Sequence, residues 1–294
     1  MTTELEADAL LARIIAWAEA DANVRALIIT GSRARADGRV DEFSDFDLEI
    51  IADRPDELMG DDAWFRGFGR VWVHLPTTVR ARHETRLVFY EGGMKIDFSL
   101  CGRMRVSAMV EAKTLDGLYE RGYRVLLDKD GMTAALPTAT GAFPAKGLPG
   151  QWAFTATVEE FWFEAAHIPR YILRGELWVV KFRDWTMKEL LLRMLEWHAI
   201  ARAEQPVDVW HIGTHMAAWV DDDTQHELRA IFGAFDERSS WRALIATTAL
   251  FRRVATETAA AIGLRYPIEA DAAVSGYIEG VRERIEAIPP TADG

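Results

Sequence analysis

Three aspartates have the types and spacing that metal chemistry requires. Asp45 and Asp47 are two residues apart in a segment that alternates apolar and acidic residues, so both project from one side of a strand. Asp97 lies in a second alternating segment, and if the two strands are neighbours, all three carboxylates converge. Converging carboxylates repel one another unless a cation lies between them. Mg²⁺ prefers oxygen ligands, and two ions about 3.5–4 Å apart stabilise both the attacking and the leaving oxygen in phosphoryl displacement.

A glycine-serine turn strengthens this interpretation. Alone, a D-x-D pair is more often a solvent-facing feature of a half-exposed sheet. Here Gly31 and Ser32 directly follow the apolar run ALIIT, upstream of the D-x-D pair. Glycine lets the backbone approach a ligand closely, and a serine hydroxyl with turn amides can hold phosphate oxygens. A Walker lysine motif is absent, so the chain is not a P-loop protein. Strand, Gly-Ser turn, D-x-D strand and a later aspartate together resemble the nucleotidyltransferase superfamily.

A longer stretch narrows the resemblance to one family. Residues 31–50, GSRARADGRVDEFSDFDLEI, resemble the corresponding block of the aminoglycoside 6-adenylyltransferases, the streptomycin-modifying family. Later segments that also resemble it are KIDFSL (95–100), VLLDKDG (125–131), EFW (160–162) and LLRMLEW (191–197). The matching segments run in order over most of the chain.

The resemblance implies an activity and assigns residues to it. The implied activity is Mg²⁺-dependent transfer of AMP from ATP to a hydroxyl of a streptomycin-like aminoglycoside, which gives antibiotic resistance. The implied nucleotide-binding residues are Gly31, Ser32 and Arg33, and the implied metal ligands and catalytic residues are Asp45, Asp47 and Asp97. Members of the wider group use the third carboxylate as the base for the sugar hydroxyl. We expect two Mg²⁺ ions, with ATP as the co-substrate.

The second half of the chain holds further ligand candidates. Glu160 and Trp162 are the candidate contacts for the cationic acceptor, Glu160 because carboxylates hold guanidinium groups through paired hydrogen bonds. Arg170 and Arg174 are four residues apart, hence on one helix face, and family members carry basic residues near these positions. We expect them to bind the β- and γ-phosphates of ATP. The alternatives are a solvated helix face for Glu160 and an intrahelical ion pair with Glu176 for the arginines.

The chain departs from the family at one place. Family members carry a G-K-x-x-K-like stretch in the helical domain, where this chain reads GTHMA over residues 213–217. Both lysines are absent, and the sequence does not show what replaces them.

The elements that position these residues indicate an α+β fold. An amphipathic helix ends near residue 20, and short alternating or apolar runs predict strands near 26–30, 43–51, 69–75, 86–90, 94–100 and 123–127. The alternation around Asp47 predicts a strand with one buried face. A stretch rich in proline and glycine follows, and then helical spacing over 155–174, 176–203, 209–220, 224–235, 239–262 and 270–287. We predict a nucleotidyltransferase domain with a mixed sheet over 1–136, a linker over 137–150, and an all-helical substrate- and nucleotide-binding domain over 151–294.

Composition and charge exclude some classes of protein and favour others. The 294 residues are 49% hydrophobic and 27% charged, an ordinary globular balance, and no apolar stretch reaches the ~20 residues of a membrane helix. The net charge of −12 argues against a nucleic-acid surface and favours a cationic small-molecule partner. The acidic start and the lone Cys101 predict a cytoplasmic protein without a signal peptide or a disulfide. We expect a monomer or a small homo-oligomer.

Two other function classes stay open. One is a non-catalytic or differently specific relative that keeps the fold and binds a ligand; the intact carboxylates argue against it. The other is an AMP-transferring protein of toxin–antitoxin type, whose helical partner domains carry an R-x₄-H ribonuclease motif. Arg193 and His198 have this spacing, but a chain of this composition gives about two arginine–histidine pairs by chance at spacings of four to six.

Overall fold

The computed structural model describes residues 4–35, 40–79 and 83–286, and the chain divides into two compact units, Met1–Pro144 and Ala145–Gly294. The first unit contains the strands β1 Val24–Thr30, β2 Phe46–Ala52, β3 Val71–Val79, β4 His83–Tyr90, β5 Lys95–Gly102 and β6 Arg124–Asp128. Its helices are α1 Glu4–Ala20, α2 Pro55–Gly60, α3 Ala63–Arg66, α4 Met104–Ala112 and α5 Gly117–Glu120. The second unit contains α6 Gln151–Leu173, α7 Leu177–Arg202, α8 Asp222–Leu228, α9 Glu237–Ile262 and α10 Ile268–Glu286.

The first unit is built on a mixed sheet. In the described part of the chain its six strands have the order β3-β4-β5-β2-β1-β6. β2 and β5 run parallel, and the other neighbouring pairs are antiparallel. A parallel pair places equivalent ends of two strands at the same edge of a sheet. The predicted α+β class with an N-terminal mixed sheet is confirmed.

Apolar layers cover both faces of this sheet. On one face, Leu10 and Ile14 of α1 pack in a cluster with Leu48 of β2. On the other, Ile51 of β2 packs in a second cluster with Val106 of α4. The predicted single buried face of β2 is therefore wrong, because helices of the same unit cover the acidic side as well.

The second unit is all-helical. Its core contains Phe161 of α6 and Phe251 of α9, whose rings stack with centroids 3.5 Å apart, together with Leu191 and Leu195 of α7. Residues 209–220, predicted as a helix, form irregular chain with a single 3-10 turn, Met216–Ala218. His211, Ile212 and His215 have φ between 52° and 56°, and an α-helix cannot pass through consecutive left-handed residues. The helix predicted over 224–235 ends at Leu228.

In the described ranges 4–35, 40–79 and 83–286, no helix has the length and apolar character required to cross a membrane.

Candidate active site

The register between β2 and β5 assembles the three aspartates. Asp47 lies directly opposite Asp97 in the parallel pairing, and Asp45 precedes Asp47 by two residues on the same side of the strand. One carboxylate oxygen from each residue lies within 4.8 Å of the others. The structure thus brings together the three carboxylates that the sequence nominated.

A lysine joins this cluster. The Nζ atom of Lys95 donates to Asp45 Oδ2 and to Asp97 Oδ2, each at 2.7 Å. Lys95 precedes Asp97 by two residues on β5, so its side chain leaves the sheet on the same face as the carboxylates. Sequence reasoning did not identify Lys95, although the alternation K-x-D over residues 95–97 already places it beside Asp97.

The aspartates of this cluster are partly buried, and burial and mutual repulsion change their pKa values. Burial, followed by repulsion from Asp45 and Asp97, raises the pKa of Asp47 to about 6. Burial also raises the pKa of Asp97, against the opposing effect of Lys95. Burial alone would lower the pKa of Lys95, but its hydrogen bonds to Asp45 and Asp97 outweigh this and raise it. One ammonium therefore does not neutralise the three carboxylates.

These residues fit a divalent metal ion. Carboxylate oxygens are the ligands that Mg²⁺ prefers, and three ionised carboxylates carry more negative charge than the one ammonium of Lys95 offsets. Among the described residues, the buried Asp97 Oδ1 atom has no hydrogen-bond partner. A buried acceptor without a partner is unfavourable unless a ligand satisfies it.

The Gly31-Ser32 turn lies against the carboxylates. Gly31 has a φ of 68°, and a Cβ atom there would overlap Asp47 Oδ2. Only glycine combines this backbone conformation with this approach. The Ser32 Oγ atom is buried and has no hydrogen-bond partner in the described part of the chain. This hydroxyl can therefore donate a hydrogen bond to an oxygen of a ligand.

Arg33 braces the segment that leads to Asp45. Its Nε and Nη2 atoms donate to Ser44 O at 3.1 and 2.8 Å, and its guanidinium carbon lies 4.1 Å from the centre of the Phe46 ring. Arg33, Asp45 and Lys95 also line a cavity of about 530 Å³ beside the carboxylates. That volume is in the range of small-molecule sites.

Further along β2, on the side of the carboxylates, lies a polar network that sequence reasoning missed. Glu49, 3% exposed, is the third acidic residue of the alternating segment. It accepts hydrogen bonds from the Arg105 guanidinium at 3.0–3.2 Å and from the Tyr119 hydroxyl at 2.7 Å. A buried charge needs such partners, and they anchor β2 to α4 and α5. The partners come from distant parts of the chain, so no local pattern marks them.

The candidates on α6 are dispersed. Glu160, Arg170 and Arg174 are exposed, and within the described residues neither arginine pairs with Glu176. Trp162 is 1% exposed, and its indole N–H donates to the Tyr266 hydroxyl at 3.1 Å. In this structure Trp162 is a core residue without surface for a ligand, which corrects its assignment to the acceptor. Helical spacing explains the separation, since residues two apart leave a helix on different sides.

The R-x₄-H pair does not form an exposed site. His198 is 5% exposed, and its Nε2 atom lies 2.7 Å from Glu257 Oε2. Arg193 is exposed on α7. Burial of the imidazole removes the main reason to interpret this pair as a nuclease motif.

Comparison with known proteins gives a consistent result. The model of the streptomycin adenylyltransferase family matches residues 5–281. The chain is 24% identical over 272 residues to an aminoglycoside 6-adenylyltransferase of Campylobacter jejuni, covering 90% of this chain and 92% of that protein. It is 23% identical over 269 residues to the Bacillus subtilis (strain 168) aminoglycoside 6-adenylyltransferase, covering 89% and 92%. A crystal structure of an aminoglycoside 6-adenyltransferase from Bacillus subtilis gives a TM-score of 0.46 at 18% identity, covering 96% of this chain and 99% of that one. Because the family model spans nearly the whole chain, the protein belongs to the streptomycin adenylyltransferase family and is a nucleotidyltransferase.

Proposed function

We propose that the protein transfers AMP from ATP to a hydroxyl of a streptomycin-like aminoglycoside, with Mg²⁺ as the metal, and so gives antibiotic resistance. The observation that carries the proposal is the convergence of Asp45, Asp47 and Asp97 beside the Gly31-Ser32 turn. Family membership supports the adenylyl group and the aminoglycoside acceptor. ATP as the donor places the proposed reaction in the cytoplasm.

In this proposal the turn binds the phosphates of ATP and the carboxylates bind the metal. The unpartnered Ser32 hydroxyl and the backbone amides of its turn would hold phosphate oxygens. Asp45, Asp47 and Asp97 would hold the metal. Bound Mg²⁺ would supply positive charge to the phosphates in the transition state. Arg33 donates to Ser44 O and so holds the segment before Asp45, and its guanidinium would offer a positive charge to the phosphates.

Asp97 is suited to remove the proton of the acceptor. The acceptor oxygen attacks the α-phosphorus, the bond from that phosphorus to the bridging oxygen breaks, and pyrophosphate leaves. The hydroxyl proton would pass to the carboxylate of Asp97. The raised pKa of Asp97 makes its carboxylate a better base than an exposed aspartate. Rate acceleration would come mainly from positioning and electrostatic stabilisation.

On α6, we assign Glu160 to the cationic acceptor and Arg170 and Arg174 to the β- and γ-phosphates. Exposure leaves all three side chains accessible. The net charge of −12 favours a cationic acceptor by raising its local concentration.

A product assay tests the proposal. The protein is incubated with Mg²⁺, each of the four nucleoside triphosphates in turn, and a panel of aminoglycosides that includes streptomycin, and products are analysed by mass spectrometry. We expect the mass of an added AMP on streptomycin, with ATP, and its loss when EDTA removes the metal. No adduct on any acceptor would contradict the proposal and favour a relative that only binds its ligand.

A further inference from the structure

The position of Lys95 conflicts with two metal ions in the carboxylate cluster. The ammonium bridges Asp45 Oδ2 and Asp97 Oδ2 at 2.7 Å each. Mg²⁺ bound to the same two oxygens would lie about 2.0–2.1 Å from each. The ammonium and such an ion would occupy the same place, and their like charges would repel.

The remaining oxygens suffice for one ion. Lys95 donates to one oxygen of Asp45 and to one oxygen of Asp97. Among the described residues, Lys95 makes no hydrogen bond to Asp47. One oxygen from each of the three aspartates lies within 4.8 Å of the others. The second oxygens of Asp45 and Asp97, together with the carboxylate of Asp47, are left for one ion while the ammonium keeps its own two contacts.

The backbone holds Lys95 at this place. Phe46 of β2 pairs with Ile96 of β5 in the parallel register. Asp45 and Lys95, which precede these two residues, therefore lie side by side. The Lys95 side chain is 27% exposed and also lines the cavity beside the cluster. An ammonium has three donors, and the two aspartates use two of them. The third is left for a phosphate oxygen of a bound nucleotide.

We propose that Lys95 takes the place of one of the two metal ions, so that the enzyme binds ATP with a single divalent ion and a fixed ammonium. This inference rests on the proposed function and replaces its expected pair of ions. In a two-metal site the ions contact both carboxylates and phosphate oxygens. Lys95 makes the carboxylate contacts already and carries a positive charge toward the substrate cavity.

Mn²⁺ bound with the non-hydrolysable analogue α,β-methylene-ATP tests the proposal. Two Mn²⁺ ions about 3.5–4 Å apart, as in two-metal sites, give a spin-coupled electron paramagnetic resonance spectrum, whereas one ion gives the spectrum of an isolated ion. We expect an isolated-ion spectrum and one protein-bound Mn²⁺ per chain for the wild type. Lys95→Met, which keeps the apolar stem, should give the coupled spectrum and two ions. Lys95→Arg, which keeps the charge, should restore the wild-type result.

Lys113→Met is the matched control, because Lys113 is an exposed lysine at the end of α4 in the same unit. It should leave the spectrum and the stoichiometry unchanged.

A coupled pair in the wild type overturns the inference while leaving AMP transfer standing. An isolated ion in both wild type and Lys95→Met overturns it as well, because the ammonium would then not be what excludes the second ion. A wild type that binds no Mn²⁺ with the analogue overturns both the inference and the proposed metal-dependent reaction. A coupled wild-type spectrum overturns the inference even if Lys95→Met fails to fold.

Discussion

The aspartates of the sheet and the ligand candidates of α6 differ in how the backbone places them. Asp47 and Asp97 lie on adjacent parallel strands, where the hydrogen-bonded register sets their separation. Glu160 and Arg170 lie on α6 and Arg174 directly follows it. All three are exposed, so their side chains are free to adopt many rotamers. The sheet residues are held together before any ligand arrives, and the α6 residues are not.

This difference explains where chemistry and binding are expected. Burial and the neighbouring carboxylates raise the pKa of Asp47, and negative charge held together in this way favours a metal ion. Exposed side chains on a helix contribute binding energy only after a ligand orders them. Substitutions in the sheet cluster should therefore affect the chemical step, and those on α6 should affect substrate affinity.

The largest effect is expected from the aspartates. Asp45→Asn and Asp47→Asn should lower kcat to well below a tenth of the wild-type value, because each removes a charged metal ligand. A tenfold loss corresponds to ~1.4 kcal/mol of barrier. Asp97→Asn should be at least as severe, since it removes a ligand and the base together. Steady-state kinetics measures kcat, and circular dichroism checks the fold.

The control for these variants is Asp56→Asn, an exposed aspartate in the first turn of α2. It should retain full activity. Retention of more than a tenth of kcat in Asp45→Asn or Asp47→Asn would exclude a metal-ligand role for that residue.

The second largest effect is expected from Gly31→Ala. The new methyl group would overlap Asp47 Oδ2 in a backbone with φ of 68°, so either the turn or the carboxylate must move. Strain of this kind is worth ~1–3 kcal/mol, and we expect both a lower Tm and about a tenfold or greater loss of kcat. Gly60→Ala is the control, because a Cβ atom there meets nothing within 4 Å. Wild-type kinetics in Gly31→Ala would show that the approach of the turn to Asp47 is not required.

The arginines of α6 should act on affinity for ATP. Arg174→Ala and Arg170→Ala should each weaken ATP binding by roughly 1.5–3 kcal/mol, the range for a charged hydrogen bond, with a smaller change in kcat. Isothermal titration of ATP into each variant measures this. Arg229→Ala, an exposed arginine at the end of α8, is the matched control. Unchanged affinity in both α6 variants would reject the phosphate contact.

Glu160→Gln should act on the acceptor alone. The loss of one exposed charge should raise KM for the aminoglycoside by about tenfold, ~1.4 kcal/mol, with little change in KM for ATP. Glu159→Gln, the exposed neighbour one residue earlier, separates a local contact from a general loss of negative charge. Equal changes in KM for both substrates would indicate a structural role for Glu160.

How far the sequence predicts this molecule depends on the range of the interactions involved. The alternation around Asp47 and the glycine at Gly31 are local signals, and they located the strand and the turn. The contact of Lys95 with Asp45 depends on the pairing of two strands whose residues are 50 apart in sequence. The burial of Glu49 similarly depends on Arg105, 56 residues away. Such long-range contacts form only in the folded chain, so a pattern within one segment cannot reveal them.

The smallest expected effect is a pH dependence of stability in the metal-free protein. Burial and the neighbouring carboxylates raise the pKa of Asp47 to about 6 from an ordinary value of 3.8. Between these pH values the folded state therefore keeps a proton that the unfolded state has lost. By linkage, stability is then lost as the pH rises through this window and stays lower above it. The raised pKa of Asp97 acts in the same direction.

Thermal unfolding in EDTA from pH 4 to pH 7 measures this effect. The wild type should lose on the order of 1 kcal/mol relative to Asp47→Asn across the window, about 2–4 °C in Tm for a chain of this size. The side chain of Asp47 is only partly buried, and solvent screening keeps the effect at this modest level. Asp56→Asn, which removes an exposed carboxylate, should show a constant difference from the wild type instead. Saturating Mg²⁺ should abolish the wild-type loss, because an ion that binds the ionised carboxylates stabilises the folded state at the higher pH values. A pH-independent difference in stability between wild type and Asp47→Asn would mean that the carboxylates do not repel one another in solution. Electrostatic repulsion would then no longer distinguish the aspartates of the sheet from the exposed residues of α6.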